Sequence, residues 1–582
     1  MKKWSPSDVP YGVSRFEDLR RGGLYMIDKT DYIRLLEQRA FFIFFVRPRR
    51  FGKSLFIDML RAYYDQNKRD DFEALFGDLA IGKNPTPGAN SYQVLALDFS
   101  EVNKGLGMTL EERFDSYMTT FLADFVTRYP DVYGERSLEE MLKWKASEIF
   151  NLIRVESRKR GAQLYLFIDE YDNFTNQLIR EDNNDEYKSI THGVGFYREW
   201  FKSFKATFTR IFMTGVSPVT MDDLTSGFNI ATNISLEPRY NSMVGFTKAE
   251  VRRIFEDFHG AGSFTDGVEG HVATVENWYD GYCFAKARVG KEHVFNCDMT
   301  LYYLNYLIEN GEPPKNLIDA NIKSDWSKLS TLLALQRHAE TFDGVLPLTE
   351  ELADSGEVTF ELAESFQVKD VVKPENFKSL YYYYGIVTMG RVDFEGTYFK
   401  VPNECVRRQI FEYMREQYAR SPEALDMAVF ARHYNDFALR GEFKALFAYL
   451  AERFAANSVV RDSLNGEPLV NGFMRAYLTM RRGYAIRPEL ELDGRYCDYA
   501  FFPDLSLEPR LRSRHSYVIE LKHSKKSAPA SEVAAKHAEA LAQLAAYARQ
   551  PNLAALAAGT SVHFLDVEFV GRELARCEEV TF

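Results

Sequence analysis

Residues Arg47-Pro48-Arg49-Arg50-Phe51-Gly52-Lys53-Ser54 carry the side chains that polyphosphate chemistry needs. A phosphate loop wants backbone N–H groups pointing inward, a helix N-terminus behind the phosphates, a lysine on the β/γ-phosphates and a hydroxyl on Mg²⁺. Gly52 permits close backbone approach, Lys53 is placed to hold the phosphates and Ser54 to ligate Mg²⁺. Arg49, Arg50, Phe51 and Leu55 complete the expected ATP-binding loop. Its first position, usually glycine, is Arg47. A basic turn that merely contains Gly-Lys-Ser is the competing reading. A second signal is the apolar run Leu164–Ile168 followed by Asp169-Glu170. Asp169 is expected to hold Mg²⁺ and Glu170 to polarise the attacking water. Asp172 is a third carboxylate nearby. Thr214, at the end of another apolar run, is either a γ-phosphate sensor or a plain strand-end hydroxyl. Arg239, Arg252 and Arg253 are candidates for an arginine finger.

A second set lies near the C-terminus. Asp498 sits in a strand-like run, Tyr496–Phe502, and Ser516-Tyr517-Val518-Ile519-Glu520-Leu521-Lys522 follows a turn rich in Pro and Arg. The two-residue period of a strand puts Glu520 and Lys522 on one face, with Val518 beside them. Asp498 and Glu520 on adjacent strands could share Mg²⁺ or Mn²⁺, and Lys522 could orient or activate the attacking water. Glu467 opens a helix over 467–480 and could add a third carboxylate, while Gln543 and Tyr547 share one helix face. A solvated strand edge with a protective lysine is the alternative.

These residues need elements to hold them. Phe41–Val46, Gln93–Phe99, Leu164–Ile168 and Arg210–Met213 read as strands separated by helices, with 108–155 helical, which implies a parallel sheet. From 245 to 300 the pattern is helical. Asn310–Asn316 reads as a loop, and 317–440 mixes helices with a hairpin over Gly385–Val401. Strands at Tyr496–Phe502 and Tyr517–Leu521, an Ala-rich helix over 531–549 and a last strand, Ser561–Phe569, form a smaller α/β unit. A chain of 582 residues exceeds one hydrophobic core, and 34 Tyr and 46 Phe supply apolar surface for several. The five cysteines form no C-x-x-C pair, which argues against a zinc or disulfide scaffold and for a reducing cytoplasm. The polar N-terminus carries no signal-peptide pattern and no run is long enough for a membrane span. A net charge of −12 excludes a global basic field, so any DNA contact needs a local basic patch.

The chain as a whole resembles the prokaryotic AAA-ATPase-like family with a C-terminal PD-(D/E)XK nuclease-like domain. The resemblance runs through Tyr11-Gly12-Val13-Ser14, Tyr25-Met26-Ile27-Asp28-Lys29-Thr30, the phosphate loop, Leu166–Asp172, Thr214–Ser217, Gly245-Phe246-Thr247, Trp278-Tyr279-Asp280-Gly281-Tyr282 and Pro402-Asn403-Glu404. The family also lacks the first glycine of the loop. Asn471 stands where histidine is usual, and one extra residue separates Gly494-Arg495 from Asp498. The resemblance implies an AAA-like P-loop ATPase, placed over residues 1–300, and a restriction-endonuclease-like α/β domain, placed over 446–582; residues 301–445 show no chemistry and read as a helical connector, with a winged-helix-like form as one option. It implies ATP and Mg²⁺ as cofactors, and Asp498, Glu520 and Lys522 as a nuclease set supported by Glu467 and Gln543. The first functional expectation is a cytoplasmic, ATP-regulated, metal-dependent DNA endonuclease, with defence or mobile elements as its setting. A nucleotide switch whose second domain only binds nucleic acid or protein is an alternative, and so is a remodelling ATPase. Homo-oligomers are an open option.

Overall fold

The computed structural model describes residues 4–39, 41–102, 108–173, 196–220, 231–319, 348, 352, 356–367, 370–371, 373–419, 424–456, 467–480, 484–487, 490–492, 495–504, 510, 512–550, 553–557 and 559–582. The chain divides into two compact units, Met1–Phe342 with Thr359–Cys405, and Asp343–Val358 with Val406–Phe582.

In the first unit β1 (Phe42–Val46), β2 (Gln93–Asp98), β3 (Leu164–Asp169), β4 (Arg210–Gly215) and β5 (Thr232–Asn233) form a parallel sheet in the order β2-β3-β4-β1-β5. β1, β3 and β4 are near-continuous apolar runs, as strands covered on both faces must be. The register sets Asp98 beside Asp169 and Val46 beside Gly215. The carboxyl ends of four strands therefore share one edge, where open α/β sheets bind ligands. Helix α1 (Lys53–Tyr64) buries Phe56, Ile57, Met59, Leu60, Tyr63 and Tyr64. The helical expectation over 108–155 is met by α2 (Leu110–Arg128), closed by a Thr109/Glu112 capping box, and α3 (Ala146–Arg160).

After the sheet come α4 (Lys248–Gly260), α5 (Val268–Tyr279) and α6 (Cys297–Asn310), with a core of Val251, Ile254, Phe255, Val275, Leu304 and Leu307. The stretch 245–300 is not wholly helical: Phe246–Thr247 (β6) pairs antiparallel with Val294–Phe295 (β7). The expected hairpin is β8 (Thr388–Val392) and β9 (Thr397–Lys400), preceded by α7 (Pro374–Tyr383).

The second unit holds a sheet of β10 (Tyr484–Arg487), β11 (Tyr499–Pro503), β12 (His515–Ser524), β13 (Ser561–Val570) and β14 (Glu573–Val580), in that order. β12 and β13 are parallel and the other pairs antiparallel. Between the parallel strands runs α8 (Ala530–Ala548), whose Leu544 and Tyr547 pack with Val518, Ala500 and Phe502. A strand expected over 496–502 is broken: Arg495–Cys497 pairs with Leu490–Leu492, β11 starts at Tyr499, and Asp498 occupies the break.

Candidate active sites

The phosphate loop joins β1 to α1. Gly52 caps α1 at φ 88 and Arg50 has φ 67, so the loop turns through left-handed backbone before the helix begins. Arg47, in place of the usual glycine, does not line the cavity beside the loop. Its side chain is buried, donates to the carbonyls of Val46 (2.9 Å), Ser235 (2.7 Å) and Tyr240 (3.0 Å), and lies over the rings of Phe45 and Phe284. Burial lowers its pKa to about 10. The Phe51 ring is also a structural peg, set edge-on against Tyr282 and Phe284 at 4.9 and 5.5 Å.

Arg49, Arg50, Phe51, Gly52, Lys53, Ser54 and Leu55 all line one cavity of about 360 Å³, together with Glu170. Lys53 is buried and donates to Pro48 O at 3.0 Å. Burial lowers its pKa, while Glu170, Asp169 and Asp172 pull it upward. Burial raises Asp169 to about 6; the nearby Ser54 hydroxyl opposes this, Glu170 adds to it and Lys53 opposes it. Glu170, at φ 49, lies 3.8 Å from the Arg49 guanidinium, and its Oε2 is buried without a hydrogen bond.

This donor set fits Mg²⁺-ATP: a buried ammonium, the Ser54 hydroxyl and an unsatisfied carboxylate oxygen of Glu170 face one cavity, with Asp169 at the end of β3 beside them. Thr214, fully buried with an unpartnered hydroxyl, stands opposite Phe45 in the sheet. Asp172, the third carboxylate nearby, is turned to the backbone. Its carboxylate accepts from the backbone N–H of Val216 (3.2 Å) and Ser217 (2.9 Å) and so fixes the turn after β4. Arg239, Arg252 and Arg253 are not brought to the cavity. Arg252 and Arg253 are paired with Glu269 and Asp257.

The rest of the cavity was missed by sequence reasoning. Val13, Met26, Ile27, Val244 and Phe246 supply an apolar wall, and Lys29 and Asp298 polar points. The signal was present as motifs with no assigned role. Thr247 caps α4 reciprocally with Glu250, and Glu250 also binds Lys29 Nζ at 2.6 Å, so two of these motifs lock together beside the loop.

In the second unit Asp498, Glu520 and Lys522 meet. Asp498 Oδ2 accepts from Leu521 N at 2.8 Å, and Lys522 Nζ lies 3.4 Å from Glu520 Oε2. Glu520 is buried, and its carboxyl is held above the usual range by burial and by the nearby Asp498 charge, against Lys522 and a hydrogen bond with Tyr547. Its Oε1 and Gln543 Oε1 are buried without hydrogen bonds. The strand period brings Glu520 and Lys522 to one face, and α8 delivers Tyr547 to it, with Gln543 one turn earlier on the helix. Two carboxylates, unsatisfied oxygens and an adjacent ammonium form a donor set that fits Mg²⁺ or Mn²⁺. Glu467 begins the helix Glu467–Leu478, and its side chain lies outside the described residues. Asn471, in the usual histidine position, is buried and accepts from Tyr499 OH at 3.0 Å.

Among the described residues no helix is long and apolar enough to cross a membrane. Residues 10–225 match the family model described as a predicted AAA-ATPase, and residues 465–579 match that of the PD-(D/E)XK nuclease superfamily. An uncharacterized protein in the vnfD 5′ region of Azotobacter chroococcum mcd 1 is 25% identical over 482 residues, covering 80% of each chain. The ORC2 protein of Aeropyrum pernix, solved in ADPNP and ADP complexes, shares 12% identity over 71% of this chain and 97% of its own; its TM-score of 0.26 is too low to speak to the fold. The chain therefore joins an AAA-ATPase-like domain, residues 10–225, to a PD-(D/E)XK nuclease-superfamily domain, residues 465–579.

Proposed function

We propose that the first unit binds and hydrolyses ATP with Mg²⁺, and that its nucleotide state governs a Mg²⁺- or Mn²⁺-dependent DNA endonuclease in the second. The setting is a cytoplasmic defence or mobile-element system. The observation that carries the nuclease reading is the meeting of Asp498, Glu520 and Lys522, with an unsatisfied oxygen of the buried Glu520 among them. Lys53 holds the β/γ-phosphates, Ser54 and Asp169 hold Mg²⁺, and Glu170 accepts the proton of the attacking water. Arg49 keeps Glu170 near the phosphate loop, and the apolar wall around Val13 and Ile27 takes the base. In the second unit Asp498 and Glu520 hold the cation, which supplies charge stabilisation at the scissile phosphate. Lys522 orients the water, and Glu467 adds a carboxylate from its helix. DNA would be held by a local basic patch.

The direct test is cleavage of plasmid and linear DNA with Mn²⁺ or Mg²⁺. Lys522→Ala should lose roughly 10²–10⁴-fold in rate, the range for removing a proton-transfer or charge-stabilising group. No cleavage by wild type under any condition, with ATP hydrolysis intact, would instead support a nucleotide switch whose second unit only binds.

A further inference from the structure

Glu520 and Lys522 on β12 have in-register partners on the parallel strand β13, namely Asp566 and Glu568. In-register residues on parallel strands face the same way. The acidic ladder therefore continues one strand further, and α8 contributes His537 to it. His537 Nδ1 lies 2.7 Å from Asp566 Oδ2 and 2.9 Å from Glu568 Oε1, and donor atoms of all three residues fall within 4.8 Å of one another. The Asp566 side chain is 1% exposed and that of Glu568 5%. Asp566 Oδ1 is buried with no hydrogen-bond partner, and Glu568 Oε1, despite its closeness to the imidazole, makes no hydrogen bond either.

Arg576 Nη1 approaches both imidazole nitrogens, Nδ1 at 2.6 Å and Nε2 closer still. With Nδ1–H donating to a carboxylate, Nε2 is left to accept from the guanidinium. A cation on the Nδ1 lone pair and one oxygen of each carboxylate would take over the role of that N–H and offset the two buried negative charges. It also satisfies the two orphaned oxygens, which cost free energy when buried unpaired.

We propose that His537, Asp566 and Glu568 form a second divalent-cation site of this unit, separate from Asp498, Glu520 and Lys522 and selective for Mn²⁺ or Zn²⁺ over Mg²⁺. One imidazole with two carboxylates suits borderline first-row ions, whereas Mg²⁺ prefers an all-oxygen shell. Arg576, about a third exposed, is the counter-charge that the cation displaces toward solvent. The site does not depend on the neighbouring set being a nuclease.

The test is Mn²⁺ titration of the full chain, followed by electron paramagnetic resonance, in an Asp498→Asn/Glu520→Gln background that weakens the first site. His537→Gln and, separately, Glu568→Gln are added to that background. The expected result is loss of one Mn²⁺ equivalent, or at least a tenfold weaker affinity for it, in each added variant, as for loss of a metal ligand. Zn²⁺ should displace that equivalent, while excess Mg²⁺ should not. Metal-free thermal melts of the variants should match that of the background. Equal Mn²⁺ binding with and without His537 and Glu568, in proteins that melt alike, would overturn the proposal and leave Arg576 as the permanent partner of both carboxylates. Should His537→Gln not fold, the Glu568→Gln titration decides.

Discussion

Asp172 shows how a residue type can suggest the wrong chemistry. In the string Asp169-Glu170-Tyr171-Asp172 it reads as a third carboxylate near the phosphate loop, yet both of its oxygens serve backbone N–H groups of the turn after β4. Asp172→Asn should therefore lower stability by about 1–3 kcal/mol, the cost of a buried charge-assisted hydrogen bond. Denaturant unfolding measures this, and the Mg²⁺-nucleotide affinity of the folded variant should stay near wild type. A variant of unchanged stability that no longer binds Mg²⁺-nucleotide would place Asp172 in the metal shell. Arg47 carries the same lesson. It stands where a phosphate loop usually has glycine, and three carbonyls and two aromatic rings claim its side chain. The partners of both residues come from segments far along the chain, so their roles were not legible locally. Lys53, Ser54, Glu520 and Lys522 were legible, because their neighbours in the site follow from helix-start and strand-period geometry.

Asp280 sets a pH dependence. Burial raises its carboxyl to about 6; the Gly281 N–H and the charges of Lys248 and Lys400 oppose this, and Glu276 adds to it. A folded-state pKa above the unfolded value means stability is fully present below about pH 4. It is lost as pH rises through 6. The shift corresponds to about 3 kcal/mol at neutral pH. Asp280→Asn should then be more stable than wild type at pH 7 by about 1–3 kcal/mol, with the advantage vanishing near pH 4. Chemical denaturation at both pH values reads this; equal stability at pH 7 would show that Asp280 is not a strained carboxylate.

At the level of elements, the strands flanking both sites followed from their apolar runs, and the helix after Gly52 followed from its apolar face. Strand order did not. β4 lies between β1 and β3, a long-range pairing that local patterns do not encode. β14 was missed because Glu573-Leu574-Ala575-Arg576-Cys577-Glu578-Glu579-Val580 is a half-exposed edge strand whose charges mask its period. The break at Asp498 was hidden because the flanking residues all favour strand. Two motifs that looked unrelated meet in the fold. Gly281, at φ 96, has room only for hydrogen where a Cβ would come within 2.1 Å of Pro402 O, and Asn403 donates to Asp280 O at 2.8 Å. Gly281→Ala combines left-handed backbone with a backbone clash and should cost more than about 2 kcal/mol. A thermal melt near that of wild type would show that the junction yields easily.

Over the whole molecule, two compact units with their own cores predict separable ligand effects. Mg²⁺-ATP should raise one thermal transition, by about 2.7 kcal/mol at a hundredfold excess over Kd, and leave the other in place. Mn²⁺ without nucleotide should raise the other. Differential scanning calorimetry with Lys53→Ala and Glu520→Gln assigns each transition. A single transition moved equally by both ligands would contradict two independent sites.

The proposed control of DNA cleavage at Asp498, Glu520 and Lys522 by nucleotide at Lys53 is read out by plasmid cleavage with Mn²⁺, with and without ATP, by wild type, Lys53→Ala and Lys522→Ala side by side. Wild type should cleave at a rate that changes with ATP, Lys53→Ala should show no response to ATP, and Lys522→Ala should not cleave under either condition. Cleavage that survives in Lys522→Ala, or that responds to ATP equally in Lys53→Ala and wild type, would contradict it.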